Sequence, residues 1–304
     1  LPLKLSAPLF LLFLPAGIWG LRQMARFPYY REINKELLSQ VTNQMDAVKK
    51  AAKTASEKTI STDGSITSRK QGFEYLNELF IKRHRKILWR STLRIAAVCA
   101  FLCCGVQVLM AVQPGTKADI NELVMTWLPY FAFIMYLINR GTGFTKALFM
   151  NCDHSLLTYS FFKRPDFVLK LFQIRLREIM KINAVPALVI GVGLCWTLYA
   201  SGGTKNPWNY VVLLVSIPAM SLFFSIHYLT VYYLLQPYTA GTEMKSGTYR
   251  IVMVLTYVVC YAMINVRMPI LMFDAMCIAF CVAYSIVASI LVYKFAPRTF
   301  RLRT

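Results

Sequence analysis

The sequence is poor in acidic residues and in the side chains that usually carry out catalysis. It contains 14 Asp and Glu against 34 Lys and Arg, and only three His. No apolar segment holds a pair of carboxylates, a His–carboxylate set or a cluster of metal ligands, so acid–base and metal catalysis are not expected there. We therefore predict a chain that is not an enzyme and that carries no catalytic residue, cofactor or metal of its own.

Motifs for nucleotide binding are also missing. The segment 141–146 reads GTGFTK, which lacks the G-x-x-x-x-G-K-[ST] spacing and follows no predicted strand. Asp153 and His154 are neighbours on a predicted helix, so their side chains point about 100° apart, and no nucleophile or second carboxylate joins them. We expect no ATP binding on this chain.

The eight cysteines form neither a disulfide framework nor a zinc motif. Seven lie inside apolar runs, Cys152 lies in a basic loop, and no two have the spacing Cys-x-x-Cys. Cys103–Cys104 and Cys277/Cys281 could hold a metal, but packing as small apolar side chains is the favoured interpretation.

Long apolar runs are what the sequence has in abundance. Apolar residues make up 57% of the chain and the mean hydropathy is +0.47. Seven runs approach the length of about 20 residues that crosses a bilayer. They cover residues 3–20, 95–113, 121–139, 182–201, 209–235, 251–267 and 270–293. The prediction is an all-α polytopic membrane protein, with a six-span bundle over 95–304 preceded by one extra span at 1–20.

Positive charge falls in every second gap between these runs. The gaps and tail at 21–94, 140–181, 236–250 and 294–304 hold 30 of the 34 Lys and Arg residues. Because short basic loops stay on the cytoplasmic side, the charged mass and the C-terminus are predicted to be cytoplasmic in a multi-pass protein of the plasma membrane. No basic stripe alternates with exposed aromatics, so the charge does not indicate nucleic-acid binding.

The first apolar run is interpreted as a span and not as a signal peptide. A signal peptide would send 21–94, with 16 basic residues, out of the cell, against the positive-inside rule. The sequence opens with Leu1, so we expect the later part of a longer protein, with 1–20 ending a missing repeat.

The segment between the first two runs is predicted to be cytoplasmic. Residues 21–72 form a basic linker, and 73–94 form an amphipathic helix whose apolar residues recur near helical spacing. Its basic residues are predicted to anchor it at the membrane surface: Lys82, Arg83, Arg85, Lys86 and Arg90. An ordinary positive flank of the next span is the alternative interpretation.

The loop 140–181 contains the short apolar stretch DHSLLTYSFF. Fully burying one Leu or Phe is worth about 1.5–3 kcal/mol, so such a stretch is expected to pack on its own bundle or on lipid, or to dock a cytosolic partner. Within the fifth run, Ser216, His227 and Thr230 share a helix face. They line a pathway or make hydrogen bonds between helices, and the sequence favours neither.

This layout resembles one repeat of the type-2 permeases of ATP-binding cassette (ABC) exporters. Residues 73–92 match the family's elbow helix, and 152–164 (CDHSLLTYSFFKR) match the coupling helix that inserts into the ATPase. The residues placed in this ATPase-coupling region are Asp153, Leu156, Leu157, Tyr159, Phe161 and Phe162. NCDHSLLTYSFFKRPDFVLKLFQIRL and VYKFAPRTFRLR look like bacterial members of the group, those of Firmicutes. The link VRMPILMF is too short for the outer re-entrant helices of several members.

The resemblance implies a permease subunit of an exporter, and two other functions stay open beside it. ATP and Mg would bind a partner, a cytosolic ABC ATPase dimer, and the other partners would be a second permease repeat or chain and membrane lipid, with no nucleic acid. The rivals are a membrane sensor or assembly scaffold that transports nothing, and an intramembrane enzyme acting on lipid or peptide. Peptide, lipid and drug remain open as substrates.

Overall fold

The structure is a computed structural model, and it describes residues 3–26, 28–57, 66–159, 164–239 and 246–302. Every regular element in these ranges is a helix, which confirms the predicted all-α class. The chain divides into two compact units, Leu1–Thr59 and Ile60–Thr304.

The first unit holds two helices. α1 (Leu3–Arg26) covers the first apolar run, and α2 (Tyr30–Glu57) follows it. α2 is rich in Ala, Lys, Glu and Gln, which are strong helix formers, so regular structure extends well into the predicted linker.

The second unit contains the remaining helices. They are α3 (Gly72–Arg83), α4 (Arg85–Val112), α5 (Lys117–Thr126), α6 (Tyr130–Ile138), α7 (Gly141–Leu148), α8 (His154–Leu156), α9 (Pro165–Ala200), α10 (Trp208–Leu235), α11 (Gly247–Ala262) and α12 (Ile270–Thr299). Single 3₁₀ turns at Pro114–Thr116 and Met263–Asn265 and a π turn at Phe149–Asp153 complete the unit. The amphipathic helix predicted over 73–94 is therefore shorter, because His84 interrupts it and Arg85, Lys86 and Arg90 belong to α4.

Five helices in the described ranges are long and apolar enough to cross a membrane. They are Leu88–Val112, Pro165–Ala200, Trp208–Leu235, Gly247–Asn265 and Ile270–Thr299. Pro114–Thr126 and Tyr130–Leu156 pass the same test together but meet at 78°, so they form a sixth crossing only as a broken span. Pro129 lies at this break, where it supplies no backbone N–H to continue the helix. These helices fit a polytopic membrane protein.

Contacts at two positions along a pair of helices show whether the two helices are parallel or antiparallel. Gln107 on α4 donates to the Thr197 hydroxyl on α9 at 3.0 Å, and Cys103 lies against Gly193. Both pairs are separated by 90 residues, so α4 and α9 run in the same direction and the chain returns across the bundle between them.

The later helices alternate in the same way. Asn183 and Cys195 on α9 bond to Ser225 and Tyr210 on α10, so a higher number on one helix meets a lower number on the other and the two are antiparallel. His227 and Ser216 on α10 bond to residues 57 and 58 positions later on α12, so these two are parallel and α11 returns between them.

As a result, the helix ends next to the basic gaps meet at one end of the bundle, which we call the basic end. It comprises the beginnings of α4 and α9, the ends of α10 and α12, and the 140–164 loop. An apolar core at this end is built from α3, the loop, α9, α10 and α12, and includes Phe144, Phe149, Phe172, Leu229 and Phe300. A second core continues along α9 and α10 toward the opposite end.

Candidate functional site: a buried ion pair at the basic end

The 140–164 loop begins where the Asn139 and Asn183 side chains hold the backbone. Asn139 Oδ1 accepts from the Gly141 N–H at 2.7 Å, and Asn183 Oδ1 on α9 accepts from the Arg140 N–H at 3.0 Å. α7 then leads into the π turn Phe149–Asp153, whose wider coil turns Asp153 toward the interior. The loop is therefore folded against the bundle over its described part.

Asp153 and Arg175 form an ion pair that is removed from solvent. Their exposed fractions are 0% and 2%. Arg175 Nη1 donates to Asp153 Oδ2 at 2.8 Å, and Nη2 contacts the other carboxylate oxygen. This two-point geometry is the strongest arrangement of a guanidinium on a carboxylate, and it fixes the loop to α9.

Side chains from two further helices complete the hydrogen bonds of this pair. The Tyr232 hydroxyl on α10 donates to Asp153 Oδ2 at 2.7 Å. Arg175 Nη1 also donates to the Tyr233 hydroxyl at 2.8 Å, and its Nε donates to Asn77 Oδ1 on α3 at 3.2 Å. We call these five residues the ion-pair cluster; it joins α3, the 140–164 loop, α9 and α10.

An apolar shell surrounds the ion-pair cluster. Leu157 and Phe172 are buried beside it, and the Tyr233 ring stacks on Phe300 at 4.5 Å between centroids. Breaking a buried pair by removing one partner typically costs about 3–5 kcal/mol, since the other charge stays buried without compensation. The position of the loop is therefore strongly determined.

The junction between α3 and α4 lies next to the same core. His84 is buried, its ring stacks on Phe80 at 4.3 Å, and its Nδ1–H donates to the Phe80 carbonyl at 2.8 Å. Burial lowers the pKa of His84, against the opposing effect of that hydrogen bond. On the exposed side of α3, Lys82 bonds to Glu78 at 2.7 Å and lowers the pKa of that carboxyl.

The predicted ATPase-coupling residues are divided between interior and surface. Asp153 and Leu157 are buried, Leu156 is half-buried, and Tyr159 is 57% exposed. Phe161 and Phe162 lie outside the described residues. Asp153 therefore makes its contacts inside the bundle and not at the surface. A buried carboxylate needs hydrogen-bond donors, and Arg175 and Tyr232 supply them.

The predicted pathway residues contact neighbouring helices. Ser216 bonds to Asp274 on α12, and the Thr230 hydroxyl is buried with no hydrogen-bond partner in the described part of the chain. His227 joins three helices: Nε2 bonds Thr256 on α11 at 3.0 Å and Nδ1 bonds Tyr284 on α12 at 2.8 Å. Thr256 already donates to a backbone carbonyl, so it accepts from Nε2–H, and Nδ1 accepts from Tyr284. Ser216 and His227 thus bond to neighbouring helices, and their place in a pathway stays a prediction.

The predicted surface-anchor residues are mostly exposed. Lys82, Arg85, Lys86 and Arg90 face outward, and Arg83 is half-buried. Within the described ranges, no group of three or more His, Cys, Asp or Glu is placed to hold a metal ion.

Arg175, Tyr232, Tyr233 and Asn77 were not expected to be functional residues. Arg175 lies in a segment where basic residues alternate with apolar ones, which is typical of a surface helix. One sequence feature could have indicated the cluster. Asp153 is the only acidic residue of the segment 140–164, and a carboxylate needs a cation as partner if it is buried.

Comparison of the chain with known protein families, characterised proteins and solved structures finds no match.

Proposed function

We propose that this chain is the membrane-spanning permease subunit of an ABC exporter, driven by a separate cytosolic ATPase. The observation that supports the proposal is the ion-pair cluster, which ties an otherwise peripheral loop to α9 and α10 at the basic end. In the proposed orientation this end and the C-terminus face the cytosol of a bacterium, and the protein lies in the plasma membrane.

A loop fixed in this way can pass on a displacement. α9 is a continuous helix of 36 residues, about 54 Å long, whereas the hydrocarbon core is about 30 Å thick. Roughly 16 residues of α9 therefore extend beyond the membrane and carry Arg175. Pro186 removes one backbone hydrogen bond within α9, but the helix continues past it to Ala200, so a push on the loop would act through Arg175 on the membrane-embedded half of the same helix.

The exposed part of the loop supplies the contact surface in this proposal. Tyr159 is 57% exposed beside the buried Leu157, so part of its surface is accessible to another chain while the loop stays packed. The partner is a dimeric ABC ATPase that binds ATP and Mg, and a second permease repeat or chain completes the transporter. Closure of the ATPase dimer would move the 140–164 loop and switch the spans between two states.

Photocrosslinking of the intact protein tests this proposal. A photoreactive phenylalanine analogue replaces Tyr159 at the basic end, and the control places it at Tyr199, which is 76% exposed near the opposite end of α9. In membranes, we expect mass spectrometry to identify an ABC ATPase crosslinked at position 159 and not at position 199.

Two results would count against the proposal. If neither the crosslink nor a pull-down of the intact protein recovers an ABC ATPase, the permease proposal is wrong and a non-transporting scaffold becomes the favoured function. If an ATPase copurifies but crosslinks equally at both positions, the transporter is retained and the 140–164 loop is not its coupling site.

A further inference from the structure

A straight stripe of basic side chains runs along the first turns of α4. Lys86, Arg90 and Arg94 follow one another at intervals of four residues, so they lie on one face of the helix, and all three are exposed. The structure assigns this stripe as a binding site for the head group of an anionic phospholipid. The assignment depends on membrane embedding and is independent of the proposed transport function.

The stripe is continuous with an exposed apolar face of α4. At 100° per residue, Phe101, Val108 and Val112 fall on the same side of α4 as Arg90 and Arg94, and their exposed fractions are 77%, 62% and 73%. The buried residues Leu88, Ala96 and Met110 lie on the opposite side, against the bundle. The three cations therefore face lipid and not the protein interior.

The height of the stripe matches the head-group layer. From Arg94 to Val112 the helix rises about 27 Å, close to the thickness of the hydrocarbon core. Arg94 then lies at the boundary of the core at the basic end, and Lys86 lies about 12 Å further out. Helical side chains lean toward the N-terminus, so Arg94 and Arg90 extend toward the head groups.

No ion pair within the described residues balances the charge of the stripe. Among the residues that the structure describes, the ion pairs join Lys70 and Lys82 to α3 carboxylates, Arg175 to Asp153, and Lys181 to Glu178. Lys86, Arg90 and Arg94 are in none of them. The first turn of a helix also disfavours cations, because the helix dipole is positive there, and Lys86 lies in the first turn of α4.

An anionic phospholipid supplies the missing charge. Its phosphate offers oxygens that match the Arg fork, and its acyl chains cover Phe101 and Val108 on the same helix face. A zwitterionic lipid carries its own cation, which three neighbouring positive charges repel. Each Lys or Arg near a membrane surface strengthens attraction to anionic lipid about fivefold, so three of them distinguish the two lipid classes clearly.

Native mass spectrometry of the intact protein tests the assignment. Wild type is compared with K86Q/R90Q/R94Q and with R69Q/K170Q/R177Q, which removes the same charge from exposed positions away from the stripe. Each is equilibrated in detergent with equal amounts of phosphatidylglycerol and phosphatidylcholine. We expect the stripe variant to lose the preference for phosphatidylglycerol by about 100-fold, and the control to change it less than fivefold.

Three results would overturn the assignment. The first is an equal loss of preference in both triple variants, which indicates net charge alone. The second is unchanged preference in K86Q/R90Q/R94Q. The third is displacement of phosphatidylglycerol by millimolar inorganic phosphate, which indicates a small-anion site. If the triple variant fails to fold, R90Q alone is used, with R90K as the charge-retaining control, and a loss of about fivefold in R90Q only is expected.

Discussion

Removing either member of the buried ion pair should destabilise the second unit far more than removing both. Asp153→Asn replaces the carboxylate by a neutral amide, so the Arg175 cation, which is 2% exposed, keeps only uncharged partners such as Tyr233 and Asn77. Arg175→Met leaves the carboxylate with the Tyr232 hydroxyl. Each change is expected to lower the free energy of unfolding by about 3–5 kcal/mol.

The double variant D153N/R175M carries no uncompensated charge. Replacing a buried pair by neutral groups of similar size is often close to neutral, so we expect it to be more stable than either single variant. At roughly 2–4 °C per kcal/mol, the single variants should lower the Tm by about 6–20 °C, and the double variant should recover most of that loss.

The assay is thermal unfolding in detergent, followed by a thiol-reactive dye and repeated in a double-mutant cycle. Arg175→Lys is a fourth variant, because it keeps the charge but loses the two-point contact and the bond to Asn77. Additive effects of the two single changes, or shifts below about 2 °C, would show that the two charges are not paired in the interior.

Three further predictions concern packing and pH. A Cβ at Gly193 would lie 2.4 Å from Cys103 Sγ, so Gly193→Ala should lower the Tm and adding Cys103→Ala should restore part of it. A Cβ at Gly141 would lie 2.4 Å from the Tyr228 side chain, so Gly141→Ala should be destabilising in the same assay, whereas Gly115→Ala, with open space around it, should not. Burial lowers the pKa of His84, so the unfolded state binds the proton more readily. Its contribution to stability is then present above pH about 6.5 and is lost as the pH falls toward the folded-state pKa, and His84→Gln should reduce the change in Tm between pH 7.5 and 5.5.

The spans were predictable because the bilayer imposes a long apolar run on each crossing. The helices α10 and α12 begin close to the predicted runs, and within the second unit the helix ends beside the basic gaps meet at one end of the bundle. The run 121–139 was expected to be one span, but the chain bends by 78° near Pro129. A proline inside an apolar run permits a break in the helix but does not require one. The sequence alone therefore does not decide between a continuous span and a broken span.

The ion-pair cluster was not predictable from local patterns. Asp153 and Arg175 are 22 residues apart, and Tyr232 is 79 residues from Asp153, so no helical spacing relates them. The segment 166–181 alternates basic and apolar residues as a surface helix does. Arg175 is the one buried cation of this segment. In sequence it resembles its neighbours, and only folding brings Asp153 of the loop next to it.

The parallel packing of α4 on α9 has a consequence for how the protein is made. The α4 face that contacts Gly193 and Thr197 cannot make these contacts until residues 90 positions later in the chain have been synthesised. At about 5–20 residues per second, α4 remains in the bilayer for roughly 5–18 s before that partner leaves the ribosome. During this interval Gln107 lacks its bond to Thr197, so the early chain is a membrane intermediate that a quality-control protease or an insertion chaperone has time to bind.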